Sequence, residues 1–348
     1  MAHKQIITGF LPEELEEKVV QLNLPVYRAR QILDWIYKKC VFCFDNMQNL
    51  SPDSKKSLSA VLQPISLKYQ KKFVSPSDKT TKYIFSANEG GFLEAVFIPV
   101  KNRSTVCVST QLGCSFNCIF CASGKGNFQR NLSADEIVSQ LLWIKKDNLA
   151  KPITNIVIMG MGEPLANYEN TLKAVRIFNH PGTLKLGARK ITISTCGLPK
   201  QILRLAREKL QVELSISLHA ASCDLRTRLM PVNKIHPITE LVKTAKEYSR
   251  ITGRIITFEY ILIKDVNDHG HDAEKLADLL SGFKCKVNLI TFNPIAGLGF
   301  EQSTIHRLEV FESVLKRKKV NYTVRRSRGC DIKGACGQLR AEFADIKG

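Results

Sequence analysis

Eleven cysteines occur in 348 residues, and three of them, Cys114, Cys118 and Cys121, stand in the short run Cys-Ser-Phe-Asn-Cys-Ile-Phe-Cys. Three thiolates so close together on one loop can ligate three irons of a [4Fe–4S] cube and leave the fourth iron open. An open iron can chelate the amino and carboxylate groups of S-adenosylmethionine and pass one electron to its sulfonium. A structural zinc takes four closed ligands, and no fourth His or Cys stands at finger spacing here. The cysteine count is odd and the N-terminal stretch Met-Ala-His-Lys-Gln-Ile-Ile lacks an apolar leader. A cytosolic chain with metal-binding or catalytic thiols is therefore expected, not a disulfide framework.

The charge balance points to the partner. Lys plus Arg number 51 against 32 for Asp plus Glu, a net charge of +19. The first hundred residues contribute 13 basic and 10 acidic side chains, so +16 of the excess follows them. Such an excess favours a polyanion, most simply nucleic acid. No run of about eighteen uncharged apolar residues is present, which excludes a membrane-spanning helix, and no basic amphipathic stretch has a bulky apolar face. Lys316-Arg-Lys-Lys and Arg325-Arg326-Ser-Arg328 lead to Cys336, and this run reads as a phosphate clamp beside a reactive thiol. Phosphate contacts position a nucleic acid without specifying its sequence.

These residues need elements to hold them. From residue 104 onward, β-branched runs at Val106–Thr110, Ile153–Met159, Lys190–Thr195, Val212–Leu218, Ile255–Leu262 and Lys286–Phe292 alternate with helical stretches near 133–148, 167–179, 199–209, 236–250, 271–281 and 303–318. Six βα units in register predict a parallel sheet, either doubly wound or an incomplete barrel, with chemistry on the loops after the carboxyl ends of the strands. Ahead of them lie helical segments at Leu11 to Leu22 and from Tyr27, a helix start at Ser51-Pro-Asp with Ser51 as N-cap, and three short strands split by the turn Asn88-Glu-Gly-Gly. The expected organisation is a helical accessory domain (1–65), a β linker or extension (66–103), the βα region (104–325) and a C-terminal segment carrying Cys336 (326–348).

The pattern Cys-x-x-x-Cys-x-aromatic-Cys after a first strand, with Phe120 as the aromatic residue, resembles the radical S-adenosylmethionine superfamily. Gln111-Leu-Gly-Cys, Arg130-Asn-Leu, Met159-Gly-Met-Gly-Glu-Pro-Leu, Ser217-Leu-His219 and Ala335-Cys336-Gly-Gln-Leu narrow this to the RlmN/Cfr family of RNA adenine methyltransferases. The resemblance covers essentially the whole chain, including Arg28-Ala-Arg-Gln-Ile and Trp35-Ile-Tyr of the accessory region. It implies an α/β fold, an incomplete (β/α)6 radical S-adenosylmethionine barrel, one [4Fe–4S] cluster on three cysteines, and two molecules of S-adenosylmethionine consumed per turnover. The implied substrates are adenine 2503 of 23S rRNA and adenine 37 of tRNA, methylated at carbon 2. An electron donor such as flavodoxin is implied too, and the lack of coiled-coil heptads suits a monomer.

Carbon 2 of adenine is electron-poor and cannot attack a sulfonium methyl, so a radical and a methyl carrier are needed; correspondingly, no G-x-G-x-x-G follows a strand. The resemblance makes Cys336 the carrier, methylated by one cofactor molecule and activated by the radical from a second. Cys107 is then the resolving thiol, forming a transient disulfide with Cys336, and Glu94, thirteen residues before Cys107, the proton acceptor. Gly162 and Glu163 match the segment that meets the cofactor's amino group, where a glycine allows close backbone approach and the carboxylate supplies an acceptor. Ser194, Ser217, Leu218, His219 and Asn293 match further cofactor contacts.

Three departures stand out. Cys330 occupies a position expected to be Asp or small and polar, six residues before Cys336; Asn127 replaces a more usual Gly; and Cys196 replaces Ser, the last two expected to touch no core motif. Cys40-x-x-Cys43 has no second pair at zinc-ribbon distance and reads as coincidence. Competing readings are a Cfr-type enzyme methylating carbon 8, against which Pro164 speaks, a non-enzymatic RNA-binding protein with a structural metal, and a radical enzyme acting on a small molecule.

Overall fold

The structure, a computed structural model, describes residues 4–340. In the strand Ile191–Thr195, Ile191, Ile193 and Thr195 are buried while Thr192 and Ser194 are only partly so. One face is built to pack under helices and the other to line a polar interior. The same two-faced pattern recurs along the chain and yields one sheet of ten strands among the described residues. They are β1 (Lys68–Val74), β2 (Thr81–Ser86), β3 (Phe92–Val100), β4 (Arg103–Cys107), β5 (Asn155–Ile158), β6 (Ile191–Thr195), β7 (Glu213–Ser217), β8 (Thr257–Leu262), β9 (Lys286–Thr291) and β10 (Tyr322–Arg325).

Their order in space is their order in the chain. β1 to β4 are antiparallel neighbours, whereas β4 to β10 are all parallel. A doubly wound sheet reverses its strand order partway; this one never does, so the incomplete barrel is the architecture. The crossovers are α4 (Ala134–Asp147), α5 (Tyr168–Asn179), α6 (Pro199–Arg207), α7 (Ile238–Thr252), α8 (Gly270–Leu279) and α9 (Ile305–Arg317), preceded in the accessory region by α1 (Pro12–Gln21), α2 (Tyr27–Leu33) and α3 (Pro52–Val61). The Ser51 hydroxyl caps α3 by accepting from the Ser54 amide at 3.3 Å.

Residues 66–103, expected as a β linker or extension, supply β1 to β3, which continue the barrel sheet at its first edge. One feature differs from the sequence expectation. A seventh parallel strand, β10, lies inside what reads as a charged tail, because four residues between Lys-rich and Arg-rich runs give almost no periodic signal.

The accessory helices seat on the first barrel helices. Thr8 and Ser66 hydroxyls each lie 3.3 Å from Ser139 on α4, Trp143 donates to the Leu67 carbonyl at 2.9 Å, and Lys173 on α5 pairs with Glu14. The C-terminal strap, residues 326–340, returns across the sheet's other end. Asp331 accepts from Ser75 at 2.9 Å, Asp78 accepts from the Gly329 amide, and the buried Glu94 accepts from the Arg340 amide at 2.8 Å. Glu94 also forms a buried ion pair with Lys82 at 2.9 Å. Breaking one half of such a pair strands a charge, so Lys82→Met is expected to cost about 3–5 kcal/mol in a urea titration. The double variant Lys82→Met with Glu94→Leu should recover most of that loss; equal destabilisation of single and double variants would refute the pairing as the cause.

Candidate active site

The inward faces of β4 to β10 enclose a cavity of about 870 Å3. Barrels of this kind are normally filled by bulky branched side chains. Here the inward positions include Thr105, Thr192, Ser194, Ser215, Thr257 and Asn288, short polar groups that leave room for a ligand and offer it hydrogen bonds. Cys107, Cys114, Cys118, Cys121, Gly162, Glu163, Ser194, Ser217, His219 and Cys336 all border this one space. Glu94, Leu218 and Asn293 do not, and each has another task in the fold.

The three-cysteine loop is closed at its base by a two-residue antiparallel ladder, Gln111–Leu112 against Arg130–Asn131. Gly113 has φ +75°, and a Cβ there would stand 2.2 Å from the Asn127 carbonyl oxygen. That position therefore demands glycine, while Asn127 contributes only its main chain at this contact. The loop is tied to its surroundings by the Ile119 amide donating to Leu229 at 3.1 Å and the Ala122 amide donating to Gly337 at 2.7 Å. Burial pushes the Cys114 thiol up to about 12 and the Cys118 thiol well above its ordinary value. The charge that ionises them must arrive with a bound cation.

The donor set fits an iron–sulfur cube. All three ligands are soft thiols and all three face the cavity. Among the described residues, the metal-ligating groups gathered within 4.8 Å of one another are His269, His271 and Asp272, and Asp265, Asp268 and His269. The cysteine trio is spread more widely than one tetrahedral ion with bonds of about 2.3 Å draws its ligands. A fully buried guanidinium, Arg226, attracts Cys118 electrostatically and supplies positive charge under a thiolate cluster.

Beside this loop lies the segment expected to meet S-adenosylmethionine. Gly162 has φ +96°, and a Cβ would strike the Gln111 side chain at 2.5 Å. Gln111 in turn accepts from the Glu163 amide at 2.8 Å. Both Glu163 oxygens are engaged: Oε1 accepts from the Leu165 amide at 2.9 Å and Oε2 from the Cys196 amide at 2.7 Å. Glu163 thus clamps the loop after β5 to the end of β6, so its carboxylate positions backbone before it binds anything. Cys196 was expected to touch no core motif; it is buried beside Glu163 and borders the cavity.

His219 has φ +56° and its Nδ1 accepts from the Ile261 amide at 3.1 Å. Burial pushes its imidazole down to about 3, so the ring is neutral, carries its proton on Nε2 and can donate into the cavity. Leu218 is wholly buried and contributes its amide to the Glu259 carbonyl. Asn293, expected as a cofactor contact, grips the strap instead: Nδ2 donates to the Cys336 carbonyl at 3.0 Å and Oδ1 accepts from the Cys330 thiol at 3.3 Å. Cys330 is thereby bound to the side chain that seats Cys336.

Cys107 ends β4 and Cys336 comes from the strap, yet both border the cavity and Cys336 raises the Cys107 thiol further. Burial pushes the Cys107 thiol up to about 12 and raises that of Cys336 as well, while Arg325 opposes the rise at both. Of the run expected to clamp phosphate, Arg325 is the half-buried last residue of β10 and Arg326 is exposed, and both border the cavity. Sequence reasoning also missed Glu259, buried in the cavity wall with Oε2 lacking a hydrogen-bond partner, and Arg226. Both sit in short runs that read as ordinary strand or helix; only a charged residue inside an apolar βα pattern could have flagged them.

Known proteins share this construction. Residues 108–280 match the radical SAM superfamily and residues 7–63 match the N-terminal domain of ribosomal RNA large subunit methyltransferases. The chain is 44% identical over 331 residues to "Probable dual-specificity RNA methyltransferase RlmN" of Thermoanaerobacter sp. (strain X514), covering 95% of this chain and 96% of that relative. It is 45% identical to the protein of that name from Thermotoga maritima over 94% of this chain and 95% of that one. A crystal structure of a radical SAM methyltransferase from Sphaerobacter thermophilus superposes with a TM-score of 0.95 at 42% identity, covering 97% of this chain and 100% of that one.

Anaerobic reconstitution should give roughly four irons and four sulfides per chain, as a cube requires. Cys114→Ala, Cys118→Ala or Cys121→Ala should each lower iron content several-fold. Zinc without acid-labile sulfide in the wild-type chain would instead indicate a structural metal.

Proposed function

The chain belongs to the RlmN family of radical S-adenosylmethionine enzymes, and we propose that it methylates carbon 2 of an adenine in 23S rRNA and in tRNA, using Cys336 as methyl carrier and Cys107 as resolving thiol. The observation that carries this reading is the meeting of two thiols, 229 positions apart in the chain, over the same cavity as the three-cysteine loop. When bound, the cluster and S-adenosylmethionine supply the methyl group and the one-electron chemistry that an electron-poor ring carbon needs.

The chain's own residues do the rest. Cys114, Cys118 and Cys121 hold the cluster, and Glu163 and Gly162 shape the backbone against which the cofactor's amino group lies. Ser194, Ser217 and His219 present hydroxyls and an N–H to the cofactor from the strand ends. Asn293 seats the strap so that the Cys336 sulfur meets the cavity. Cys107 then attacks the Cys336 sulfur of the RNA-bound thioether: a sulfur–sulfur bond forms, the sulfur–carbon bond breaks, and the released carbon takes a proton to become methyl. A small thiol reductant returns the disulfide to two thiols.

Glu94 is proposed as the proton acceptor of this family. In the present arrangement it is sealed beneath the strap by Lys82 and the Arg340 amide, so it serves that role after the strap shifts. Basic side chains at the rim, Arg326 among them, guide the RNA backbone. Flavodoxin or a similar protein is the proposed electron donor, and a single chain the working unit. No helix of the described residues is long and apolar enough to cross a membrane.

Mass spectrometry of the reconstituted protein should find one added methyl on Cys336, absent from Cys336→Ala, and Cys107→Ala should accumulate RNA covalently joined to Cys336. A bare Cys336 in the wild type, with cofactor and reductant supplied, overturns the carrier role. The product nucleoside should be 2-methyladenosine; 8-methyladenosine would reassign the enzyme to the Cfr type. Arg326→Ala should reduce the slope of log affinity against log salt by roughly one, and an unchanged slope would show that this side chain meets no phosphate.

A further inference from the structure

Arg325 ends β10 and shares the cavity wall with Cys107, Met159, Glu259 and Cys336. Its Nη1 lies 3.8 Å from the Met159 sulfur, and the Met159 main-chain amide hydrogen-bonds to the Cys107 sulfur. Met159 therefore places the guanidinium and that thiol on either side of a single residue. Among the described residues, no carboxylate pairs with Arg325 within 4.0 Å. Glu259, on β8, is near enough to attract it but is itself held at Oε1 by the Asn288 amide at 3.3 Å. Cys121 from the cysteine loop acts on Cys336 from the strap, and Lys286 from β9 acts on Glu259; Arg103, Arg189, Glu213, Arg326 and Arg328 are further charged side chains on the cavity lining.

Burial pushes the Glu259 carboxyl toward its neutral form, and a half-buried guanidinium beside such a group is costly unless an anion forms near it during function. Both Arg325 and Arg326 line the cavity, but Arg325 is half-buried and Arg326 exposed, so Arg326 is the one more open to an RNA phosphate. Two thiols remain, and burial disfavours the anion of each.

We propose that Arg325 is a catalytic residue of the thiol chemistry: its guanidinium pairs with the Cys107 sulfur anion as that sulfur attacks, and with the Cys336 sulfur as it takes up a methyl group. Arginine suits this task because it cannot lose its proton and offers several donors in a fixed fork. In the resolving step, the Cys107 thiolate and the Cys336 thioether of the RNA, with one proton, give the Cys107–Cys336 disulfide and methylated RNA; the electron pair of the broken sulfur–carbon bond goes to carbon. Arg325 moves no proton and keeps its charge throughout. The chemistry rests on the carrier and resolver roles proposed above; the placement of Arg325 beside Cys107 does not.

The test uses the full chain with its cluster reconstituted, so that the cluster cysteines are protected. Iodoacetamide labelling of Cys107 at neutral pH, followed by mass spectrometry, should slow about tenfold or more in Arg325→Met, matching the loss of one pKa unit of thiolate stabilisation. Arg325→Lys should recover part of the rate, and Arg326→Ala should leave it unchanged; Arg325→Gln replaces the Met variant if that one does not fold. In turnover, Arg325→Met should accumulate RNA joined to Cys336 while the salt slope of RNA affinity stays at the wild-type value. Unchanged Cys107 labelling in Arg325→Met, or a salt slope flattened by about one, overturns the proposal. If wild-type Cys336 never carries a methyl, the carrier reading falls, whereas the Cys107 labelling rates still decide whether Arg325 is its counter-charge.

Discussion

Everything in this site depends on a chain end being folded back over a barrel. A thiol at position 336 meets one at position 107 only because the strap is pinned at both margins of the open sheet. Asn293 beyond β9 holds the Cys336 carbonyl, and the Ala122 amide beside the cysteine loop holds that of Gly337. Asp78, Ser75 and Glu94, from the antiparallel extension, hold residues 329–340 on the far side. Each contact is a single hydrogen bond worth about 1 kcal/mol, so the strap is fastened by many weak ties distributed over four elements. Such fastening fixes Cys336 in register yet permits a local opening below the cost of global unfolding. That latitude is what a sulfur needs if it is to visit a cofactor and then a nucleobase.

The open sheet makes this possible. Because strand order follows chain order and the two edges are β1 and β10, the interior remains accessible from one side and can be lined by Thr, Ser and Asn in place of Leu and Ile. The apolar half of each strand packs under the helices and carries the stability, including Ile156, Ile193, Leu214, Phe258 and Leu289, all essentially without solvent contact. The polar half is left for chemistry. The antiparallel strands β1 to β3 have a structural reason to be part of the same sheet: they cover the edge that a free barrel would expose and provide the anchor points for the strap.

The electrostatics follow the same division of labour. Four of the thiols here are buried deeply enough that burial alone holds them neutral, as at Cys107, Cys114, Cys118 and Cys196. Two guanidiniums oppose that effect, the fully buried Arg226 at Cys118 and the cavity-lining Arg325 at Cys107 and Cys336. Arg226 is wrapped by the carbonyls of Cys196 and Ser217 at 2.6 and 3.2 Å and is locked in place; Arg325 has only a thioether at contact distance. One cation is built into the scaffold and the other is left available.

The three-cysteine loop, the six βα units and the Gly162–Glu163 turn are legible in the sequence because each is local: a spacing, a period or a short run determines it. Ser51 as a cap and the strand boundaries around Ile191 or Lys286 belong to the same class. What the linear chain could not disclose is direction and partnership. Arg325 and Arg326 are adjacent and chemically identical, but the first ends β10 half-buried and the second follows the strand exposed. Asn293 and Glu94 carry motif-like signals of catalysis, while their side chains are spent on holding the strap. Glu163 likewise reads as a ligand acceptor and is in fact satisfied by two main-chain amides. Residue type and spacing determine which chemistry is available; only long-range packing decides which charge faces which sulfur, because those contacts join residues that no local pattern brings together.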